Sequence, residues 1–176
     1  MNTPAFTDKT LFDFSTATST AAWQIANDDV MGGISRSSFH LTNDMAVFLG
    51  EISLKNNGGF ASVRSLPAHH DLSGCGAFVV RVRGDGRSYR FTARTPRAFD
   101  SPIYQAVFKT QKGEWEEPCL PLKEFVPTFR GRVLSGEPPL DPAKITSAGF
   151  LISDKQAGAF FLEIEWIKAV KLPPSQ

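Results

Sequence analysis

The sequence predicts an all-β chain, an antiparallel sandwich or barrel, on three observations. Apolar and polar residues alternate with period two over many short segments. Fourteen glycines and twelve prolines punctuate the chain without any repeat, as tight turns between short elements require. No stretch carries the sustained 3.6-residue periodicity of a helix long enough to cross between parallel strands.

The elements follow in order. Strands are expected at 37–41, 46–52 and 60–64, with Asn56-Asn57-Gly58-Gly59 as the turn before the third. Ala77-Phe78-Val79-Val80-Arg81-Val82-Arg83 begins apolar on both faces and then alternates. Ser88-Tyr89-Arg90-Phe91-Thr92-Ala93-Arg94 is expected to pair with it as a hairpin across Gly84-Asp85-Gly86-Arg87, whose glycines tolerate positive φ. Strands at 103–110 and 115–120 flank Gln111-Lys112-Gly113, and one at 146–152 precedes Lys155-Gln156-Ala157-Gly158. In the last strand, Phe160, Leu162, Ile164 and Trp166 are expected on one face, with Glu163 and Glu165 on the other. Single helical turns are expected at 121–125 and 141–145, the second with Asp141 as N-cap and Pro142 at the first helical position. The Pro- and Gly-rich stretch 125–142 reads as a long surface loop, where function concentrates.

A chain of 176 residues, 41% hydrophobic with fifteen phenylalanines, predicts one domain over 1–176 with its core at about residues 10–172. A net charge of +1 argues against general attraction to nucleic acid or to an anionic membrane. No apolar run reaches the ~18 residues of a membrane helix, so the chain is not expected to be integral to a membrane. Cys75 and Cys119 are too few for a disulfide framework and are expected to be buried free thiols. The start MNTPAFTDKTLFDF has no apolar core and carries Asp8, so neither a secretory signal nor an Arg-rich presequence is expected there. With reduced thiols, these features predict a cytoplasmic protein.

Two constellations stand out as candidate sites. Asn27-Asp28-Asp29, ahead of Met31-Gly32-Gly33, offers oxygen ligands for a structural Ca²⁺ ion, or else side chains that cap backbone N–H groups in a turn. Strand parity in the expected hairpin sets Arg81 and Arg83 beside Arg90 and Arg94 on one sheet face, with Arg64 upstream. Crowded guanidinium groups repel and need an offset. It comes either from carboxylates such as Glu163 and Glu165 or from an anionic or polyhydroxyl ligand. Arg64, Arg83 and Arg94, with Ser62 and Asp85 from the same segments, are therefore the candidates for binding a ligand or partner.

The remaining motifs carry less. His69-His70 has no further ligand at a useful spacing. Cys75 lacks any nucleophile elbow or ordered triad. Gly84-Asp85-Gly86-Arg87 lies between strands rather than before a helix, so it is not a dinucleotide fingerprint. Trp23, Trp115 and Trp166 read as packing residues, with sugar stacking as the alternative. No nucleophile–base pair or metal site emerges, so the chain is expected to bind rather than to catalyse, and without a cofactor.

An ordered set of segments is more specific than any one of these. It comprises Trp23-Gln24-Ile25-Ala26-Asn27-Asp28-Asp29-Val30-Met31-Gly32-Gly33-Ile34-Ser35, Gly50-Glu51-Ile52-Ser53-Leu54 and Asn57-Gly58-Gly59-Phe60-Ala61-Ser62-Val63-Arg64. Arg83-Gly84-Asp85-Gly86-Arg87, Phe129-Arg130-Gly131 and Ser153-Asp154-Lys155-Gln156 complete it. In order and spacing it resembles the family of complex I intermediate-associated protein 30, an NADH:ubiquinone oxidoreductase assembly factor, over nearly the whole chain. The family's Gly-Pro-Phe and basic residue before the last strand is here Gly158-Ala159-Phe160-Phe161. The resemblance implies a two-sheet jelly-roll sandwich of the galactose-binding type. It also implies a non-enzymatic assembly factor or chaperone with a protein partner, a respiratory complex I assembly intermediate. It places Arg64 and Arg83 in matching segments, whereas Arg94 rests on parity alone. A module binding carbohydrate or another polar ligand is the alternative such a fold allows.

Overall fold

In the computed structural model, residues 8–18, 20–96 and 102–172 are described. In chain order the strands are β1 (Lys9–Asp13), β2 (Trp23–Asn27), β3 (Arg36–Thr42), β4 (Met45–Ile52), β5 (Ala61–Ser65), β6 (Ala77–Arg83) and β7 (Ser88–Arg94). They continue with β8 (Ile103–Lys109), β9 (Trp115–Glu116), β10 (Cys119–Pro121), β11 (Val126–Phe129), β12 (Arg132–Val133), β13 (Ser147–Ile152) and β14 (Gly158–Val170). They form a two-sheet antiparallel jelly-roll sandwich. The first sheet runs β10-β6-β14-β4-β3, with β1 beside β14 and β9 beside β6. The second runs β12-β11-β8-β7-β13-β5-β2. Among the described residues the only helical elements are four 3-10 turns, and no helix is long and apolar enough to cross a membrane.

The alternating pattern puts one residue in two between the sheets. Phe48, Ile52, Phe160, Leu162 and Ile164 point inward from the first sheet, and Tyr89, Phe91, Phe150 and Ile152 from the second; all are essentially inaccessible. Phe78, Phe91, Phe125 and Phe150 interlock as tilted and edge-on pairs with centroids 4.8–6.2 Å apart. Full burial of each such side chain contributes about 1.5–3 kcal/mol, so the heavy phenylalanine content is spent on the core.

Five expectations are corrected. β6 and β7 do not form a hairpin: β6 pairs with β14, β9 and β10, while β7 pairs with β8 and β13. The segment Gly84-Asp85-Gly86-Arg87 carries the chain from one sheet to the other. Trp166 does not share a face with Phe160, because a register shift between Ile164 and Trp166 flips the strand. Ile167 and Ala169 are buried beyond it. The strand expected at 115–120 breaks around Pro118, which cannot donate to a ladder, and β9 and β10 pair separately with β6. The stretch 125–142 is not a bare loop but contains β11 and β12, with Phe125, Thr128 and Leu140 buried. Cys75 and Cys119 are free as expected, but Cys119 is exposed and Cys75 half-buried. β1 and β2, absent from the predicted strands, close the sheet edges at β14 and β5. Asp141 caps its turn as predicted, accepting from Ala143 N–H at 2.9 Å.

Candidate functional site

The loops at one end of the sandwich are built around Asp28. Its carboxylate accepts from the Ser35 N–H at 3.0 Å, the Ser35 hydroxyl at 2.5 Å, the Gly59 N–H at 2.7 Å and the Phe60 N–H at 3.3 Å. Asp28 is wholly buried. Burial alone would raise its pKa, but the bonds from Ser35, Gly59 and Phe60 outweigh that and hold it below its ordinary value. Gly33 and Gly58 must be glycines because a Cβ at either would lie 2.5–2.6 Å from the Asp28 carboxyl group. Asn27 Oδ1 accepts from the Ser37 hydroxyl at 2.8 Å and the Ser62 N–H at 3.3 Å. The Asn56 amide donates to the Gly32 carbonyl at 3.2 Å. The segments 27–35 and 53–62, separate in sequence, are thus one rigid unit.

This arrangement does not suit Ca²⁺. Both Asp28 oxygens face N–H and O–H donors, whose positive ends repel a cation. Asp29 is exposed, and no group of three or more His, Cys, Asp or Glu side chains among the described residues could hold a metal ion. In this geometry Asp28 and Asn27 accept from backbone N–H groups. The unit presents four large apolar side chains to solvent, Val30 at 78% exposed, Met31 at 59%, Ile34 at 52% and Leu54 at 47%, beside the exposed polar Asp29, Lys55, Asn56 and Asn57. A shallow groove lined by Asn27, Asp29, Ile34, Ser35 and Arg36 runs alongside.

The predicted arginine face is split between the two sheets, because β6 and β7 belong to different ones. On the first sheet Arg81 Nε donates to Glu165 at 2.6 Å, and Arg83 makes a two-point pair with Glu163. Both guanidinium groups lie 5.0 Å from the Trp115 ring centroid. Asp85 is also engaged internally, accepting from the Arg87 N–H, the Tyr89 hydroxyl and the Phe161 N–H at 2.8–3.1 Å. Burial, chiefly, pushes the Tyr89 hydroxyl's pKa up, so it stays a donor. Arg64, Arg94 and Ser62 are on the second sheet. Burial and the neighbouring Arg64 charge push the Arg94 pKa down to about 10.

Sequence reasoning missed Arg87. Its guanidinium meets Asp154 at two points, 2.9 and 2.6 Å, and donates to the carbonyls of Gly158, Ala159 and Gln156. Both partners are nearly buried. The signal lay in the segments 83–87 and 153–156, which were singled out as separate motifs but not as a pair. Elsewhere, His70 Nε2 is buried with no partner among the described residues. Burial, with the charges of Lys9 and His69, holds its pKa below the ordinary value. Its ring packs 5.9 Å from Phe12.

Comparison with known proteins adds to this geometry. Residues 12–164 match the family described as complex I intermediate-associated protein 30. The mitochondrial complex I intermediate-associated protein 30 of Mus musculus is 30% identical over 166 residues, covering 82% of this chain and 51% of the relative. That of Drosophila melanogaster is 27% identical over 187 residues, covering 93% and 63%. The chain spans about half to two thirds of the length of these curated relatives. Their names overturn the cytoplasmic placement expected from the N-terminal sequence: the mouse, fly and Neurospora crassa relatives are all named mitochondrial. Among solved structures, a family 11 carbohydrate-binding module from Clostridium thermocellum, in complex with a β-1,3-1,4-mixed-linked tetrasaccharide, superposes with a TM-score of 0.71 at 16% identity, covering 96% of this chain and 98% of that one. An agarase matches with a TM-score of 0.66 at 16% identity, over 96% of this chain and 25% of the agarase. Likeness at this identity bears on the fold alone.

Proposed function

The chain belongs to the complex I intermediate-associated protein 30 family, and from that premise we propose that it is a non-enzymatic assembly factor that holds an intermediate of respiratory complex I by protein–protein contact. The observation that carries this reading is the exposed apolar tip of Val30, Met31, Ile34 and Leu54 on its rigid base. Exposed apolar side chains gathered at one place suit burial against a partner. A tip fixed in advance loses little conformational entropy when it docks. The fully buried carboxylate of Asp28 beneath it is what keeps the tip fixed.

The carbohydrate reading has less behind it. Sugar stacking needs a bare aromatic face, and each tryptophan ring is already engaged. Trp23 packs against Phe12, Phe14 and Phe39. Trp115 carries Arg81 and Arg83, and Trp166 has the Lys168 ammonium 4.1 Å from its centroid.

The test is depletion and rescue in the native cell, read as complex I assembly on native gels. Depletion should stall assembly and wild type should restore it. A Met31→Asp/Ile34→Asp variant that keeps its melting temperature should not. Unchanged complex I after depletion, or full rescue by that variant, would defeat the proposal.

A further inference from the structure

The outer face of the second sheet carries charge of one sign at its centre. Strand parity turns Ala61, Val63, Tyr89, Phe91, Ala148 and Phe150 into the core. Ser62, Arg64, Arg90, Thr92, Arg94, Ser147 and Gly149 are therefore on the outside. The register aligns Gln24, Arg64, Gly149, Thr92, Gln105 and Val126 in one row across β2, β5, β13, β7, β8 and β11. Arg94 lies opposite Ser147, two residues along β13 from Gly149.

Gly149 contributes no side chain to the middle of this row, and the β5 backbone approaches it closely. A Cβ there would lie 2.2 Å from the Val63 carbonyl oxygen and 2.9 Å from Arg64 Cα, so the position admits no side chain. Thr92 and Gln105 are only 9% and 8% exposed although they face outward. Arg64 and Arg94 are half-buried, and neither has a carboxylate within ion-pair distance among the described residues. Arg81, Arg83 and Arg87 are all so paired. Arg64 and Arg94 lie on the same face on either side of β13, and the Arg64 charge acts on Arg94; two half-buried guanidinium groups in that relation, with no counter-charge, are unfavourable until an anion arrives.

We propose that Arg64 and Arg94 form a carboxylate-binding site for an extended acidic segment of a protein partner, laid across the outer face of the second sheet. Planar guanidinium forks match carboxylates at two points. The same face ends in exposed apolar groups, Val107 at 61% and Val126 at 40%. From β5 to β11 there are four strand intervals of ~4.8 Å, about 19 Å, which six extended residues span at ~3.3 Å each. The segment that fits has acidic residues at one end and an aliphatic residue about six positions away, over Val126. This site rests on the reading that the protein works by protein contact, and it assigns the chemistry of a contact distinct from the apolar tip.

The experiment is calorimetric titration of the full chain with a synthetic peptide carrying Glu-Glu at one end and Val about six residues on, beside its Gln-Gln analogue. The acidic peptide should bind at least about tenfold more tightly than the analogue, and Arg64→Gln and Arg94→Met should each lose about tenfold. The binding should weaken as salt is raised. Arg94→Met should melt no lower than wild type, because it removes an unpaired half-buried charge. The proposal is overturned if the two peptides bind alike, or if both variants bind as wild type does. Tighter binding of anionic lipid vesicles or of the mixed-linkage tetrasaccharide would overturn it too. If the peptide fails while depletion still stalls complex I, this site falls and the assembly reading stands. If the peptide binds while depletion leaves complex I intact, the assembly reading falls and this site stands.

Discussion

At Asp28 a carboxylate is buried beneath a loop and all its charge is met by four hydrogen bonds. Removing one partner of such a set leaves buried donors unsatisfied, so Asp28→Ala should lower stability by about 2–4 kcal/mol. Asp29 is exposed, and Asp29→Ala should stay within about 0.5 kcal/mol. Thermal melts of the two variants at neutral pH check both, and equal losses would contradict the account. The pH dependence has a definite sign. The folded pKa of Asp28 lies below its ordinary 3.8, so its stabilisation is present above about pH 4 and is lost as pH falls through the folded pKa. Asp154 is depressed likewise, first by its bonds from Arg87. Melting temperature should therefore fall steeply below about pH 4 in wild type and less steeply in Asp28→Asn. At this scale the sequence was half legible. Asp28 and Asp29 are adjacent and chemically alike, and only the path of the backbone decides which one turns inward.

At the scale of elements, the join between the sheets is held by Arg87, which ties the β6–β7 crossover to Asp154 and to the start of β14. Breaking a buried pair from one side leaves a lone charge, so Arg87→Ala should cost about 3–5 kcal/mol. Arg87→Lys should rescue little, since an ammonium cannot reproduce the fork's five donations. The double variant Arg87→Met/Asp154→Leu should recover part of the loss. Denaturant unfolding of the three variants measures this, and full stability in Arg87→Lys would refute the role. Alternation made the strands readable wherever one face is core, as in β3, β4, β7 and β13. It failed where a local device overrides it. The shift after Ile164 turned Trp166 outward, Pro118 split a strand, and Gly84-Asp85-Gly86-Arg87 looked like a hairpin turn while serving as a crossover. That last misreading joined Arg83 to Arg94 on one face, because residues next to one another in sequence say nothing about which sheet they enter.

At the scale of the whole molecule, most of the segments that carried the family resemblance meet in space. Residues 27–35 meet 53–62 through Asp28 and Asn27, and residues 83–87 meet 153–156 through Arg87. The ordered motifs were legible, whereas their pairing was not, since 67 residues separate Arg87 from Asp154. The apolar tip also lay in plain view in the sequence, but exposed Val30 and Met31 cannot be told from core residues until the buried carboxylate beneath them is seen. The central claim is that this tip touches a complex I assembly intermediate. The direct measurement is photo-crosslinking in the native cell, with a photoreactive residue at position 31 and a control at Asp44. Asp44 is in the exposed turn at the opposite end of β3 and β4, about 23 Å away along a seven-residue strand. The account predicts adducts from position 31 to complex I subunits or to their assembly partners, and none from position 44. Adducts from position 44 alone, or none from position 31 in cells actively assembling complex I, would contradict it.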